Sequence, residues 1–176
     1  MSVFSKWFGK KTATGDVPVS DAKPVFAPNT RIPYHSDLID GLKRDHQQLG
    51  VIFAGLVSAV GAGKSKEAKA ALDDFEALLY DHLLKEKTSF YIYLRGIFSR
   101  DEETLELVNH FSREMDGIQR EVVKFLKKYK ASTLSPEALR EMNDELGDLG
   151  KALTDRIQRE ESQLYPLYMP PPPADE

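Results

Sequence analysis

Two residues with metal-ligating side chains, His82 and Glu86, fall on the apolar stripe of a predicted helix. Their spacing of four places them one turn apart on the same face. The other members of that stripe recur at steps of three or four and are apolar: Leu72, Phe75, Leu79 and Phe90. An imidazole and a carboxylate inside a helical core are costly unless partner groups compensate them. The identity of those partners therefore decides what this part of the chain can do.

Polar residues also interrupt the apolar stripes of three other predicted helices. His46 lies near the middle of the first, Met115 on the stripe of the third, and Glu160 on that of the fourth. Arg156 precedes Glu160 by one turn on nearly the same face. In an antiparallel bundle these side chains can meet in one layer, and such cores commonly host metal ions. Two imidazoles and two carboxylates suit one divalent ion of iron, zinc or manganese, and the predicted ligands are His46, His82, Glu86 and Glu160.

A metal-free network is an alternative for the same residues. Arg156 can fork onto Glu86 or Glu160 while the two histidines donate to carboxylates. A guanidinium in the layer would repel a cation, and it would satisfy the buried carboxylates without one. Residue types alone leave both interpretations open, so the predicted cofactor is one divalent ion or none.

The remaining two histidines are predicted to lie in solvent. His110 sits about 100° around the third helix from Phe111, which belongs to the inward face. The neighbours of His110 on its own face are mostly charged, and His35 precedes the first helix. His110 is therefore a weaker ligand candidate than the four residues above.

Four long amphipathic patterns position these side chains. Each follows a residue that favours a helix start: Ser36, Ser65, Ser99, and Ser135 with Pro136 behind it. No alternation typical of strands separates the patterns. Short loops between helices of similar length predict an all-α fold, an up-and-down antiparallel four-helix bundle over residues 36–168.

The segments outside the bundle are predicted to be tails. Prolines interrupt residues 1–35, which we interpret as an extended or disordered N-terminal tail. Its first turns carry Phe4, Trp7 and Phe8 among lysines, a short basic amphipathic patch suited to weak contact with a membrane surface or a partner groove. Residues 169–176 are interpreted as a proline-rich C-terminal stub.

Composition restricts the classes of function. With 176 residues, 41% of them hydrophobic, the chain can bury the core of one domain. The net charge of −4 argues against a nucleic-acid partner, and the absence of cysteine excludes disulfides and thiolate metal sites. No apolar run approaches the roughly 20 residues of a membrane span, and no secretory segment is evident. We therefore expect a cytoplasmic location.

The order and spacing of these motifs resemble the hemerythrin-like (HHE cation-binding) family. That family carries one histidine on helix one, His-x-x-x-Glu on helix two, a histidine on helix three, and His-x-x-x-Glu-Glu before an apolar-Pro end on helix four. The matching segments here are RDHQQL around His46, DHLLKEKTSFYIYL from Asp81, and DRIQREESQLYPLY from Asp155. The resemblance covers about residues 36–168 and implies a cation-binding domain for sensing, storage or regulation.

Two positions depart from the family pattern. Arg156 stands in place of the fourth-helix histidine, and on the third helix either His110 or Met115 matches the family's histidine. The loss of two histidine ligands implies that a di-iron centre cannot be fully built, so at most one ion is expected. No general base stands beside an open metal position, and we do not predict an enzyme.

Two shorter blocks resemble the Rsd/AlgQ anti-sigma regulators, which are metal-free helical bundles. The blocks are ALDDFEALLYDHLLKEKTSFYIYL on helix two and DLGKALTDRIQREES on helix four. The regulators also carry an arginine at the position of Arg156. This resemblance implies an alternative function, a metal-free regulatory protein that binds a sigma factor or another protein partner.

Overall fold

The computed structural model describes residues 25–171, which form a bundle of four helices. The α-helices are α1 (Leu38–Gly61), α2 (Ser65–Lys85), α3 (Tyr91–Ile97), α4 (Glu102–Ala131) and α5 (Pro136–Arg159). A π-helical turn (Glu86–Phe90) joins α2 to α3, so these three segments make the second helix of the bundle. A second π turn (Glu160–Leu164) and a 3₁₀ turn (Tyr165–Leu167) extend α5. The predicted all-α four-helix bundle is confirmed, and within the described residues no helix is long and apolar enough to cross a membrane.

The helix starts predicted at Ser36 and Ser65 are each displaced by one residue. The observed caps are Asp37 at α1 and Lys64 at α2, and neither side chain makes a capping hydrogen bond.

The other two predicted helix starts belong to α5 and α4. Ser135 caps α5 ahead of Pro136, as predicted, with its side chain accepting from a backbone N–H of the first turn. At α4 the cap is Asp101 rather than Ser99, because the Asp101 carboxylate accepts the N–H of Thr104 at 3.1 Å. A carboxylate at this place also complements the positive end of the helix dipole.

The core consists of two apolar clusters with a polar layer between them. The larger cluster includes Leu49, Phe53, Leu79, Met115 and Leu146. The smaller cluster includes Leu42, Phe90, Tyr93, Phe111 and Tyr168. On α1 the buried residues Leu42, His46 and Leu49 follow one another at helical spacing, so His46 belongs to a layer enclosed by apolar side chains above and below.

The last residues of the predicted N-terminal tail fold back onto the bundle. Ala27 donates its N–H to Ile32 at 2.9 Å and Tyr34 donates to Val25 at 2.7 Å, which closes a turn. Ala27 is buried against Gly96, where a Cβ atom would come within 3.1 Å of the alanine methyl group. The aromatic patch predicted at residues 4–8, and the end of the C-terminal stub from residue 172 onward, lie outside the described residues.

The crossing of α1 and α5 depends on Gly150. A Cβ atom there would lie 2.8 Å from Cε1 of the buried Phe53. We expect Gly150→Ala to lower the free energy of unfolding by about 1–3 kcal/mol in chemical denaturation, because the ring must leave its rotamer. Gly147→Ala is the matched control, since no atom lies within 4 Å of its Cβ position and helix propensity alone should stabilise it by up to about 1 kcal/mol. Equal effects of the two substitutions would contradict this packing.

Candidate metal centre

The structure brings the four predicted ligands into one buried layer. His46, His82, Glu86 and Glu160 are each no more than 4% exposed. The two imidazole rings lie side by side, with centroids 4.7 Å apart. His46 Nε2 is 3.6 Å from Glu160 Oε2, and His82 Nε2 is 3.9 Å from Glu86 Oε1. Side chains from three bundle helices therefore meet at a common level.

Each carboxylate of the layer begins a π turn. The N–H of Tyr91 donates to the carbonyl of Glu86, and the N–H of Tyr165 donates to the carbonyl of Glu160. In a π turn a residue faces the same side as the residue five positions later, whereas in an α-helix the partner is four positions away. Each glutamate therefore shares its face with a tyrosine five residues further along the chain.

The two tyrosines are site residues that the sequence analysis missed. The Tyr165 hydroxyl donates to Glu86 Oε1 at 3.2 Å, and the hydroxyl oxygen of Tyr165 also lies 3.3 Å from His46 Nε2. The Tyr91 hydroxyl accepts a hydrogen bond from Arg156 Nη2 at 2.8 Å. A repeated spacing was the available signal: His-x-x-x-Glu-x-x-x-x-Tyr starts at position 82, and Arg-x-x-x-Glu-x-x-x-x-Tyr starts at position 156.

A carboxylate outside the layer lies beside the outer nitrogen of each imidazole, within hydrogen-bond distance for His46 but not for His82. His46 Nδ1 is 2.9 Å from Glu161 Oε1, and His82 Nδ1 is 3.6 Å from Asp45 Oδ2. Asp45 is itself fixed by Lys85, whose ammonium donates to it at 3.0 Å. When Nδ1 carries the proton that faces a carboxylate, the Nε2 lone pair is left to face the interior of the layer.

Arg156 closes the other side of the layer. Its Nε and Nη2 donate to Glu160 Oε1 at 2.8 and 2.5 Å, and its Nη1 donates to Glu114 Oε2 at 3.1 Å. The guanidinium carbon also lies 4.8 Å from the centroid of the Phe111 ring. Burial by itself lowers the pKa of Arg156, but the Glu160 carboxylate, together with the Tyr91 hydroxyl, outweighs it and raises the pKa. The group is therefore a permanent cation inside the core.

The third bundle helix, α4, contributes neither of the two residues considered from the sequence as ligands. His110 is exposed, as predicted, and its ring packs edge-on against Phe111 at a centroid distance of 6.5 Å. Met115 is buried in the larger apolar cluster. What α4 brings to Arg156 instead is the Glu114 carboxylate and the face of Phe111.

Comparison with known families gives one match. The model of the hemerythrin HHE cation-binding domain matches residues 31–168. The chain belongs to this family. Searches of curated proteins and of solved structures gave no significant match. Within the hemerythrin HHE family pattern, Arg156 takes the place of the fourth-helix histidine, and the guanidinium contacts now show what this arginine binds.

The surroundings of Glu86 in this HHE domain disfavour the charged form of its carboxyl group. Burial, and then the neighbouring Glu160, raise the pKa of Glu86 to about 8. Burial by itself lowers the pKa of His82, but the carboxylates of Asp45, Glu86 and Glu160 outweigh it and raise the pKa. Among the buried side-chain atoms of the described residues, Glu86 Oε2 and His82 Nδ1 have no hydrogen-bond partner.

These residues fit one ion by their chemistry. The donor set contains two imidazole nitrogens and two carboxylates, and one carboxylate oxygen lacks any hydrogen-bond partner within residues 25–171. The geometry is incomplete, because in the same residues no three His, Asp or Glu side chains form a group that could hold an ion as it stands. The Arg156 guanidinium, which donates to Glu160, carries a positive charge and offers no lone pair to a metal ion.

Proposed function

We propose that this HHE domain holds a single divalent metal ion between His46, His82, Glu86 and Glu160. The observation that carries the proposal is the orientation of the two imidazoles. Their Nδ1 atoms face Glu161 and Asp45, while Nε2 of each faces a carboxylate of the layer. Carboxylates behind metal-binding histidines commonly fix the ring and raise its basicity in this way.

The position of the Arg156 guanidinium supports the binding of one ion per chain. Its guanidinium binds Glu160 Oε1 through two N–H groups and leaves Glu160 Oε2, which lies 3.6 Å from His46 Nε2. The arginine thus supplies a fixed positive charge on one side of the layer, and the ion would lie on the other side. The bound metal would be iron, zinc or manganese, all of which accept nitrogen and carboxylate oxygen together.

A role in storage, sensing or regulation suits this layer better than catalysis. Apolar clusters enclose it from above and below. Arg156 and Tyr165 donate to the two carboxylates, and Tyr91 accepts from Arg156. Little room is then left for an organic substrate beside the ion.

Metal titration of the purified protein tests the proposal. Apo-protein is dialysed against iron(II) under nitrogen, zinc or manganese, desalted, and its metal content measured by elemental analysis. We expect one ion per chain for at least one metal, and we expect His82→Ala to weaken binding roughly 10–100-fold. Two ions per chain, or uptake unchanged in His82→Ala, would contradict the proposed ligand set.

Arg156→His is the informative substitution in the same titration. It restores the family's histidine and removes the cation, so we expect affinity for the first ion to rise by about tenfold or more. Arg159→His is the matched control, because Arg159 is 38% exposed and contacts Glu114 rather than the layer. Weaker or unchanged uptake by Arg156→His would mean that position 156 does not govern the site.

A metal-free regulatory protein is the second candidate. The complete pairing of Arg156 with Glu160, Glu114 and Tyr91 favours it, because this network compensates a buried carboxylate without any ion. Its function would then be to bind a protein partner such as a sigma factor. Protein that takes up none of the three metals but retains a sigma subunit in a pull-down would support this candidate and overturn the first.

A further inference from the structure

The hydroxyl oxygen of Tyr165 lies among the atoms proposed to hold the ion. It is 3.2 Å from Glu86 Oε1 and 3.3 Å from His46 Nε2. The residue is 3% exposed, and its ring stacks on the His46 imidazole with an interplanar angle of 7°. The π turn at Glu160–Leu164 is what brings this tyrosine onto the face of the layer.

These separations suit hydrogen bonds, and they also suit atoms that share one ion. Two donors that are each about 2.0–2.1 Å from a metal lie roughly 2.8–3.4 Å apart, with the shorter values in octahedral and the longer values in tetrahedral geometry. The distances from the Tyr165 oxygen fall in this range, whereas those between the imidazoles and the carboxylates are 3.6 and 3.9 Å. Histidine and carboxylate side chains within the described residues form no complete metal-binding group by themselves. Tyr165 is thus an additional oxygen donor, already beside Glu86 and His46, that could complete one.

We propose that Tyr165 is a ligand of the ion, bound as a phenolate, and that the site consequently prefers iron in the ferric state. This inference rests on the proposed single-ion site, and it replaces the divalent ion proposed there with iron(III). On binding, the oxygen–iron bond forms, the phenol O–H bond breaks and its proton is released to the buffer, as is any proton held by the ligating carboxylates. Three anionic oxygens, from Glu86, Glu160 and Tyr165, then face the ion, and a trivalent cation gains more from them than a divalent one. No change in oxidation state is required when iron is supplied as iron(III).

Titration with iron(III) nitrilotriacetate tests the inference, with visible absorption as the readout. Phenolate bound to ferric iron gives a broad visible charge-transfer band, which imidazole and carboxylate ligands do not give. We expect the band to saturate at one iron per chain in the wild-type protein. In Tyr165→Phe we expect the band to disappear and iron affinity to fall by about tenfold or more, while circular dichroism shows that the fold is kept.

Tyr168→Phe is the matched control. It removes another buried tyrosine hydroxyl three residues away, one that accepts the N–H of His35 at 3.0 Å, and it should leave the band unchanged. A band that persists in Tyr165→Phe would overturn the inference. Wild-type protein that binds one iron without a band would also overturn it, while the single-ion function would stand. Wild-type protein that binds no iron, zinc or manganese would overturn both.

Discussion

Replacing Arg156 with methionine should lower the free energy of unfolding by about 3–5 kcal/mol, because it leaves a buried carboxylate without its counter-charge. Arg156 is 1% exposed and Glu160 is 2% exposed, so water cannot take over the lost hydrogen bonds. The substitution also leaves the Tyr91 hydroxyl without its donor. Since a domain of this size is stable by only about 5–15 kcal/mol, the loss would be a large part of the total. Urea denaturation of the metal-free proteins measures it.

Arg159→Met is the control for this experiment. Arg159 also binds Glu114, at 2.7 Å, but its side chain is 38% exposed. Exposed ion pairs contribute about 0–1 kcal/mol, so we expect a loss in that range. If both variants lost the same small amount, the guanidinium of Arg156 would not be the group that compensates Glu160.

Raising the pH should destabilise the metal-free protein by about 3–5 kcal/mol between pH 5 and pH 9. The pKa of Glu86 rises from 4.5 to about 8 on folding, so the folded state keeps a proton that the unfolded chain has already lost. Stability therefore falls as the pH passes from the unfolded to the folded pKa, and it levels off above pH 8. The raised pKa of His82 acts in the same direction. Urea denaturation at a series of pH values gives the slope.

Glu86→Gln separates this cause from the other titrating groups. The amide resembles the protonated carboxyl group and cannot lose the proton, so most of the slope between pH 5 and pH 8 should disappear. Glu103→Gln, on the exposed face of α4, should keep the wild-type slope. A Glu86→Gln protein with the full wild-type slope would show that Glu86 is not the group responsible.

Helical periodicity in the sequence was enough to predict the helical architecture and the burial of His82 and Glu86. Side-chain direction on a helix follows directly from position, so steps of three and four at Leu72, Phe75 and Leu79 indicated both the helix and its inward face. The same rule placed His82 and Glu86 on that inward face, and it placed His110 away from the inward face of α4. These predictions needed no knowledge of the neighbouring helices.

Helix ends were predicted less well than helix interiors. Ser99 and Asp101 are both good capping residues within one turn of each other, and only the observed hydrogen bond to Thr104 chooses between them. The turn formed by residues 25–35 was also missed, although local backbone hydrogen bonds close it and Ala27 packs against the distant Gly96. Short segments with little periodicity give no local signal of this kind.

Only the tertiary structure decided how the polar residues are paired. Local spacing does not encode how far one helix slides or rotates against another. This offset determines that Arg156 also binds Glu114 and Tyr91 rather than Glu86, whereas its bond to Glu160 is a local contact one helical turn away. A π turn is costly in isolation. It is therefore kept only where neighbouring helices compensate its cost. The sequence could therefore place two histidines and two glutamates in the core, whereas the arrival of Tyr91 and Tyr165 beside them depended on the packed bundle.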